Sequence, residues 1–145
     1  MSLERISKIL ELKGFTKEQL EMEAKKSRAE LDAENIKLDS IRCVSEKVLD
    51  EFRTKQESGA VSPADMDIFY TYYAHLNKQM EEQKEHVDQK LSEVERKQKA
   101  MIEAYKQKRL FEILHDKMLR AMVKETSLNE QKETDYDYIA RKLRK

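Results

Sequence analysis

Glu112 and His115 stand three residues apart, the spacing with which di-metal carboxylate bundles present a glutamate and a histidine from one helical face. Such a centre needs two of these pairs plus further glutamates, and the chain has one pair. His115 also falls on an apolar stripe, opposite Ile6 in the register derived below, which is the place of a packed histidine. His75 and His86 have no partner at ligand spacing, and Cys43 has no second thiol. No glycine-rich loop is available to hold phosphate, and no nucleophile-and-base motif occurs. The expectation is a protein that is not an enzyme, with no catalytic residue, no metal and no cofactor.

Two other clusters have the chemistry of contact. Phe69-Tyr70-Thr71-Tyr72-Tyr73-Ala74-His75-Leu76 is the densest aromatic run. Phe69, Tyr73 and Leu76 follow a helical seam, whereas Tyr70 and Tyr72 lie off it. Tyrosine rings bury much area at small entropic cost, so an off-seam pair suits a contact surface; a broadened core is the other reading. At the opposite extreme, Arg141, Lys142, Arg144 and Lys145 form a basic end. Positive charge there either meets an acidic surface or offsets the dipole at a helix C-terminus.

The elements that must hold these clusters are legible in the composition. Of 145 residues, 40% are charged, with two glycines, one proline and no tryptophan, a bias found in long helices and coiled coils. An apolar share of 39% is thin for a compact core but ample for narrow helical seams. From Leu3 to Phe52, seam residues recur at alternating steps of three and four: Leu3, Ile6, Leu10, Leu20, Ala24, Leu31, Leu38, Ile41, Val48, Phe52. Ser58, Gly59 and Ser62 interrupt the pattern. Ser62-Pro63-Ala64-Asp65 then reads as an N-cap, a proline at the first helical position and an acid in the first turn. A second frame runs through Met66, Phe69, Tyr73, Leu76, Met80, Val87, Val94, Met101, Ala104, Phe111 and Met118. It continues through Met122, Tyr136, Ile139 and Leu143. The expectation is an all-α chain forming one elongated domain over residues 1–145. Helix one covers about 3–57, a turn 58–62, and helix two about 63–143.

A turn of about five residues folds the helices back on one another, because otherwise both stripes would stay exposed. The register can be checked. If facing residues have numbers adding to 121, Phe52 meets Phe69, Val48 meets Tyr73, Ile41 meets Met80, Leu20 meets Met101, Leu10 meets Phe111 and Leu3 meets Met118. Every seam position finds a counterpart, so an antiparallel coiled-coil hairpin is predicted. Its middle is weaker, since Glu34 faces Val87, Leu31 faces Lys90, Ser27 faces Val94 and Ala24 faces Lys97; nearer the start, Lys13 faces Lys108. Thr16 and Gln19 have capping-box spacing after Gly14, which raises the idea of a helix restart. The heptad phase runs through unchanged and favours a continuous helix. Helix one spans roughly 80 Å and helix two roughly 120 Å at 1.5 Å per residue. Residues from about 119 onward therefore overhang, carrying Met122, Leu128, Tyr136, Ile139 and Leu143 uncovered. Such a stripe asks for a partner.

Acidic and basic residues both total 29, which leaves no net field for nucleic acid. The single cysteine and the early charges Glu4 and Arg5 suggest a reducing, cytoplasmic setting, and no window suits direct membrane insertion.

Several stretches resemble the FliJ family, a flagellar export component with relatives in virulence-type type III secretion. Tyr73, Leu76 and Gln79 are similar to its aromatic, leucine and glutamine pattern, and Arg109-Leu110-Phe111-Glu112-Ile113-Leu114 to its R-x-x-E-x-L stretch. Glu130, Lys132, Asp135, Ile139 and Ala140 resemble its acidic-and-lysine run. There Tyr138 stands where the family has a glutamate, and the spacing from Lys132 is longer. The resemblance implies a coiled-coil stalk like the shaft of rotary ATPases, inserted into the export ATPase ring and linked to a membrane protein of the export gate. It implies ring contacts at Met122, Leu128, Tyr136, Ile139, Leu143, Arg141 and Lys142, and gate contacts at Tyr70, Tyr72 and Leu76. Export chaperones are further partners, and the location it implies is the cytoplasmic face of the cell membrane, held peripherally through the export apparatus. Two alternatives are a structural coiled coil that pairs with itself along residues 119 to 145, and a metal-binding helical bundle.

Overall fold

The computed structural model describes residues 2–144 and contains two helices, α1 (Leu3–Glu57) and α2 (Pro63–Leu143). They pack antiparallel as a hairpin, with α2 the longer. Ser2 starts α1 by accepting the Arg5 amide at its Oγ, 3.2 Å away, the side-chain cap that satisfies an otherwise free donor. The helix runs unbroken past Gly14. Thr16 Oγ1 donates to the Leu12 carbonyl at 3.1 Å, the back-bond of a mid-helix threonine.

Gly59 ends α1. It sits at φ 73°, while Ala60 N–H donates to the Lys55 carbonyl and Gly59 N–H to that of Gln56, the paired bonds of a left-handed helix terminus. α2 opens on a reciprocal cap. Asp65 N–H donates to Ser62 Oγ, and Ser62 N–H donates to the Asp65 carboxylate, both at 3.1 Å. The Ser62 amide, with its hydroxyl second, holds the Asp65 carboxyl below its ordinary pKa.

Packing divides the chain into two compact units, residues 21–100 and residues 1–20 with 101–145. In the first, the turn end is aromatic. Phe52 and Phe69 stack at 3.8 Å with their planes 8° apart, and Tyr73 lies 5.6 Å from Phe69. Leu76 and Leu38 are buried farther along, each contributing roughly 1.5–3 kcal/mol by leaving water. The layers beyond are mixed. Gln83 Nε2 donates to the Glu34 carbonyl at 2.9 Å and to its carboxylate at 2.6 Å. Lys90 Nζ reaches Glu30 at 3.0 Å, and Lys97 Nζ reaches Glu23 at 3.3 Å. Lysine stems thus cover apolar neighbours while their charges reach acids at the edge. Ser27 Oγ is buried with no hydrogen-bond partner.

In the second unit Ile6 is fully buried. Lys13 Nζ donates to Gln107 Oε1 at 2.8 Å and lies over the Phe111 ring; Lys17 lies over Tyr105. The expected Lys13 and Lys108 layer is therefore split, with Lys108 turned 3.7 Å from Glu112. Past Met118, every residue of α2 through Ile139 is exposed. Among the described residues, no helix is long and apolar enough to cross a membrane.

Candidate partner-binding surfaces

The pair that could have suggested a metal is otherwise engaged. Glu112 accepts from Arg109 at 3.1 Å and lies near Lys108, and His115 Nδ1 is 4.0 Å from the Asp116 carboxylate. Among the described residues, no three histidine, cysteine or acidic side chains come together as metal ligands.

Near the turn, two turns of helix hold three fates. Leu76 is a seam residue, 4% exposed, so its side chain is not a surface group; it supports the turn end from within. Tyr70 packs edge-on against Phe69 at 5.5 Å and lies 6.3 Å from Phe52. Tyr72 is about 200° around the helix from it and leaves 46% of its surface exposed. It lines a groove of about 380 Å³ with Val48, Phe52, Val61, Ile68 and Phe69, edged by Glu51, Lys55 and Asp65. The two tyrosines therefore occupy opposite flanks. Ile68 was not singled out by its sequence position, because it lies off the seam frame; only its exposure beside Tyr72 marks it.

Farther along unit two of the packing, α2 changes character. Met122, Leu128, Tyr136, Ile139 and Leu143 are all exposed, Leu143 by 81%. Arg141 is exposed as well. Lys142 sits over the Tyr138 ring at 5.7 Å, a cation-π contact within the same helix. Arg144 is exposed, whereas Lys145 of the basic end lies outside the described residues. Five further apolar side chains were missed by seam reasoning: Leu110, Ile113, Leu114, Leu119 and Val123. All are exposed, Leu110 by 66% and Val123 by 63%. At 3.6 residues per turn, Leu110, Ile113 and Leu114 face one side of the helix and Leu119, Met122 and Val123 the opposite one, with Arg109, Asp116, Lys117 and Arg120 exposed among them. Apolar clusters on two opposite sides ask for contact on both, since a single flat contact covers only one face. Leu119, Val123 and Leu128 also line a shallow groove with Arg120, Lys124 and Ser127.

No curated protein and no solved structure matches the chain. The family model described as the flagellar FliJ protein matches residues 1–141. With that match over nearly the whole hairpin, the chain belongs to the FliJ family, a family of flagellar, export-related proteins.

Proposed function

We propose that this chain is the stalk of the flagellar export apparatus, with the far part of α2 inserted into the export ATPase ring and the turn end meeting the export gate. The carrying observation is the pair of exposed apolar clusters on opposite sides of α2, Leu110, Ile113 and Leu114 on one and Leu119, Met122 and Val123 on the other, which a surrounding partner covers and a flat one does not. The exposed stripe of Met122, Leu128, Tyr136, Ile139 and Leu143 extends that surface, and Arg141 and Lys142 add charge for an acidic lining. At the other site, Tyr72 with Ile68 offers an apolar groove to the gate, Tyr70 presents a second flank, and Leu76 supports both from the seam. The chain works as one coiled-coil unit at the cytoplasmic face of the membrane, held there by its partners. Its role is structural and coupling, without chemistry of its own; export chaperones join the partner set on the family likeness alone.

The encirclement is tested with substitutions on opposite faces of α2. Leu110→Glu and Leu119→Glu point about 180° apart and both side chains are exposed, so the helix content should stay unchanged. Each should weaken capture by the assembled ATPase ring. If one variant binds as the unaltered chain does, the partner is one-sided and the insertion reading fails.

A further inference from the structure

We propose that α1 and α2 part locally within residues 21–100, over residues 24–34 and 87–97, and that this stretch is a joint at which the paired helices bend while the turn end stays closed. This goes beyond the stalk reading and does not depend on it.

The register that stacks Phe52 on Phe69 gives facing residues numbers adding to 121, and it sorts the layers into two kinds. Toward the turn, Ile41 with Met80, Val48 with Tyr73 and Phe52 with Phe69 each join two apolar side chains, and only Ser45 with Leu76 does not. From Ala24 to Leu38, five successive layers each have a polar member: Lys97 with Ala24, Ser27 with Val94, Lys90 with Leu31, Glu34 with Val87 and Gln83 with Leu38. A layer with one apolar side chain takes about half as much apolar surface out of water, and its hydrophobic contribution falls in proportion.

The polar members add little resistance to opening. Lys90 reaches Glu30 and Lys97 reaches Glu23 across the helices, yet Lys90 is 33% exposed and Glu23 40%. Ion pairs so placed hold weakly, because water and salt replace each partner as the pair separates. Ser27 favours opening outright. Its hydroxyl is buried without a hydrogen-bond partner, which costs stability in the closed state and is relieved when water enters. Gln83, which donates to both the carbonyl and the carboxylate of Glu34, is the last polar layer before the apolar ones and bounds the joint on the turn side. Once parted, each helix loses the packing that supplies most of its stability, so the opening extends to the backbone amides. Partners bound on either side of the joint can then shift relative to each other without peeling the helices apart at the turn.

The test is hydrogen exchange on the full chain, in a Cys43→Ser background. Amides of residues 24–34 and 87–97 should exchange at least about tenfold faster than those of 41–52 and 69–80. A disulfide between Leu10→Cys and Phe111→Cys blocks fraying from the end opposite the turn, and the fast exchange should persist when it is formed. Lys90→Leu combined with Lys97→Leu supplies Leu31 and Ala24 with apolar counterparts, and should slow both fast stretches at least about tenfold while leaving 41–52 unchanged. Equal protection of the four stretches overturns the proposal. So does a disulfide that brings 24–34 to the protection of 41–52, which marks fraying from the end, or exchange indifferent to the two lysine replacements. With no ATPase or gate protein present, these outcomes are separate from the fate of the stalk reading.

Discussion

Residues 21–100 and the stretch of α2 beyond residue 100 place their apolar side chains in opposite ways. In the first, beyond the tyrosine segment, most outward positions of α2 are polar, among them Lys78, Glu82, Glu85, Gln89, Ser92, Arg96 and Lys99, with Leu91 exposed beside them, and the seam itself admits Gln83, Lys90 and Lys97. These three long polar side chains remain tolerable there because each finds an acid or a carbonyl at the seam's edge. In the second, the outward positions carry Leu110, Ile113, Leu119 and Val123 in water. One segment gives up packing in its seam and keeps a solvated exterior, while the other keeps an exterior that only a partner can cover. Away from the groove of Ile68 and Tyr72, folding alone accounts for the first pattern. The second is unfavourable for an isolated chain and makes sense when binding is included.

The sharpest way to break this contrast is to remove residues 126–145. That deletes Leu128, Tyr136, Ile139, Leu143 and the basic end while leaving every hairpin layer from Leu3 and Met118 to Phe52 and Phe69. The truncated chain should melt close to the full-length temperature, because a lone helix adds little packing. ATPase-ring capture should fall at least about tenfold, and any stimulation of hydrolysis should fall with it. Circular dichroism and a pull-down on one preparation measure both, and undiminished capture would move the ring contact to the hairpin body.

A smaller separation is expected at the turn end. Leu76→Ala empties a buried seam position and should cost about 2–5 kcal/mol. Tyr72→Ala touches an exposed ring and should change stability by no more than about 0.5 kcal/mol, yet should weaken capture of the export gate. Unfolding of Tyr72→Ala in denaturant titration would return that ring to the core.

The mixed seam should show itself in acid. Hydrogen bonding from Lys90 holds the Glu30 carboxyl below its ordinary value of 4.5, and the Gln83 amide does the same for Glu34. A carboxylate with a lowered folded pKa contributes stability that is complete above its unfolded value and is lost as pH falls through the folded one. Lys90 is raised above 10.5, chiefly by its hydrogen bond to Glu30, so its share persists below that value and disappears as pH climbs through the higher folded one. Melting temperature should therefore be level between these limits and drop below about pH 4.5. Glu30→Gln should drop less steeply there. Equal acid slopes for the two proteins would remove this edge contact from the account.

The smallest effect belongs to Gly14. A Cβ there meets nothing within 4 Å, and the backbone is helical, so Gly14→Ala should stabilise by about 0.5–1 kcal/mol. A loss of stability would mean that α1 is strained at this point.

Much of the fold was legible in the residue order because its determinants are local or periodic. The alternation of three and four fixes a helical face. Gly59 supplies the positive φ that ends α1, and Ser62, Pro63 and Asp65 start α2 within one turn. A short turn then makes one register follow from two phases, as the Phe52 and Phe69 stack displays. Legibility stopped where side-chain direction mattered. The frame set Lys90 opposite Leu31, but only the packed helices sent its ammonium to Glu30 and Gln83 to Glu34. Periodicity likewise grouped Tyr70 with Tyr72 as off-seam residues, whereas the structure put one against Phe69 and the other in a groove with Ile68. It passed over Leu110 and Val123 because a seam template is blind to the rest of the helix circumference. The sequence by itself determined the two helices, their ends and their register, through forces acting along a few turns of chain. Tertiary structure decided which polar groups meet across the seam and which apolar groups stay in water, because both depend on how long side chains lean once a second helix occupies one side.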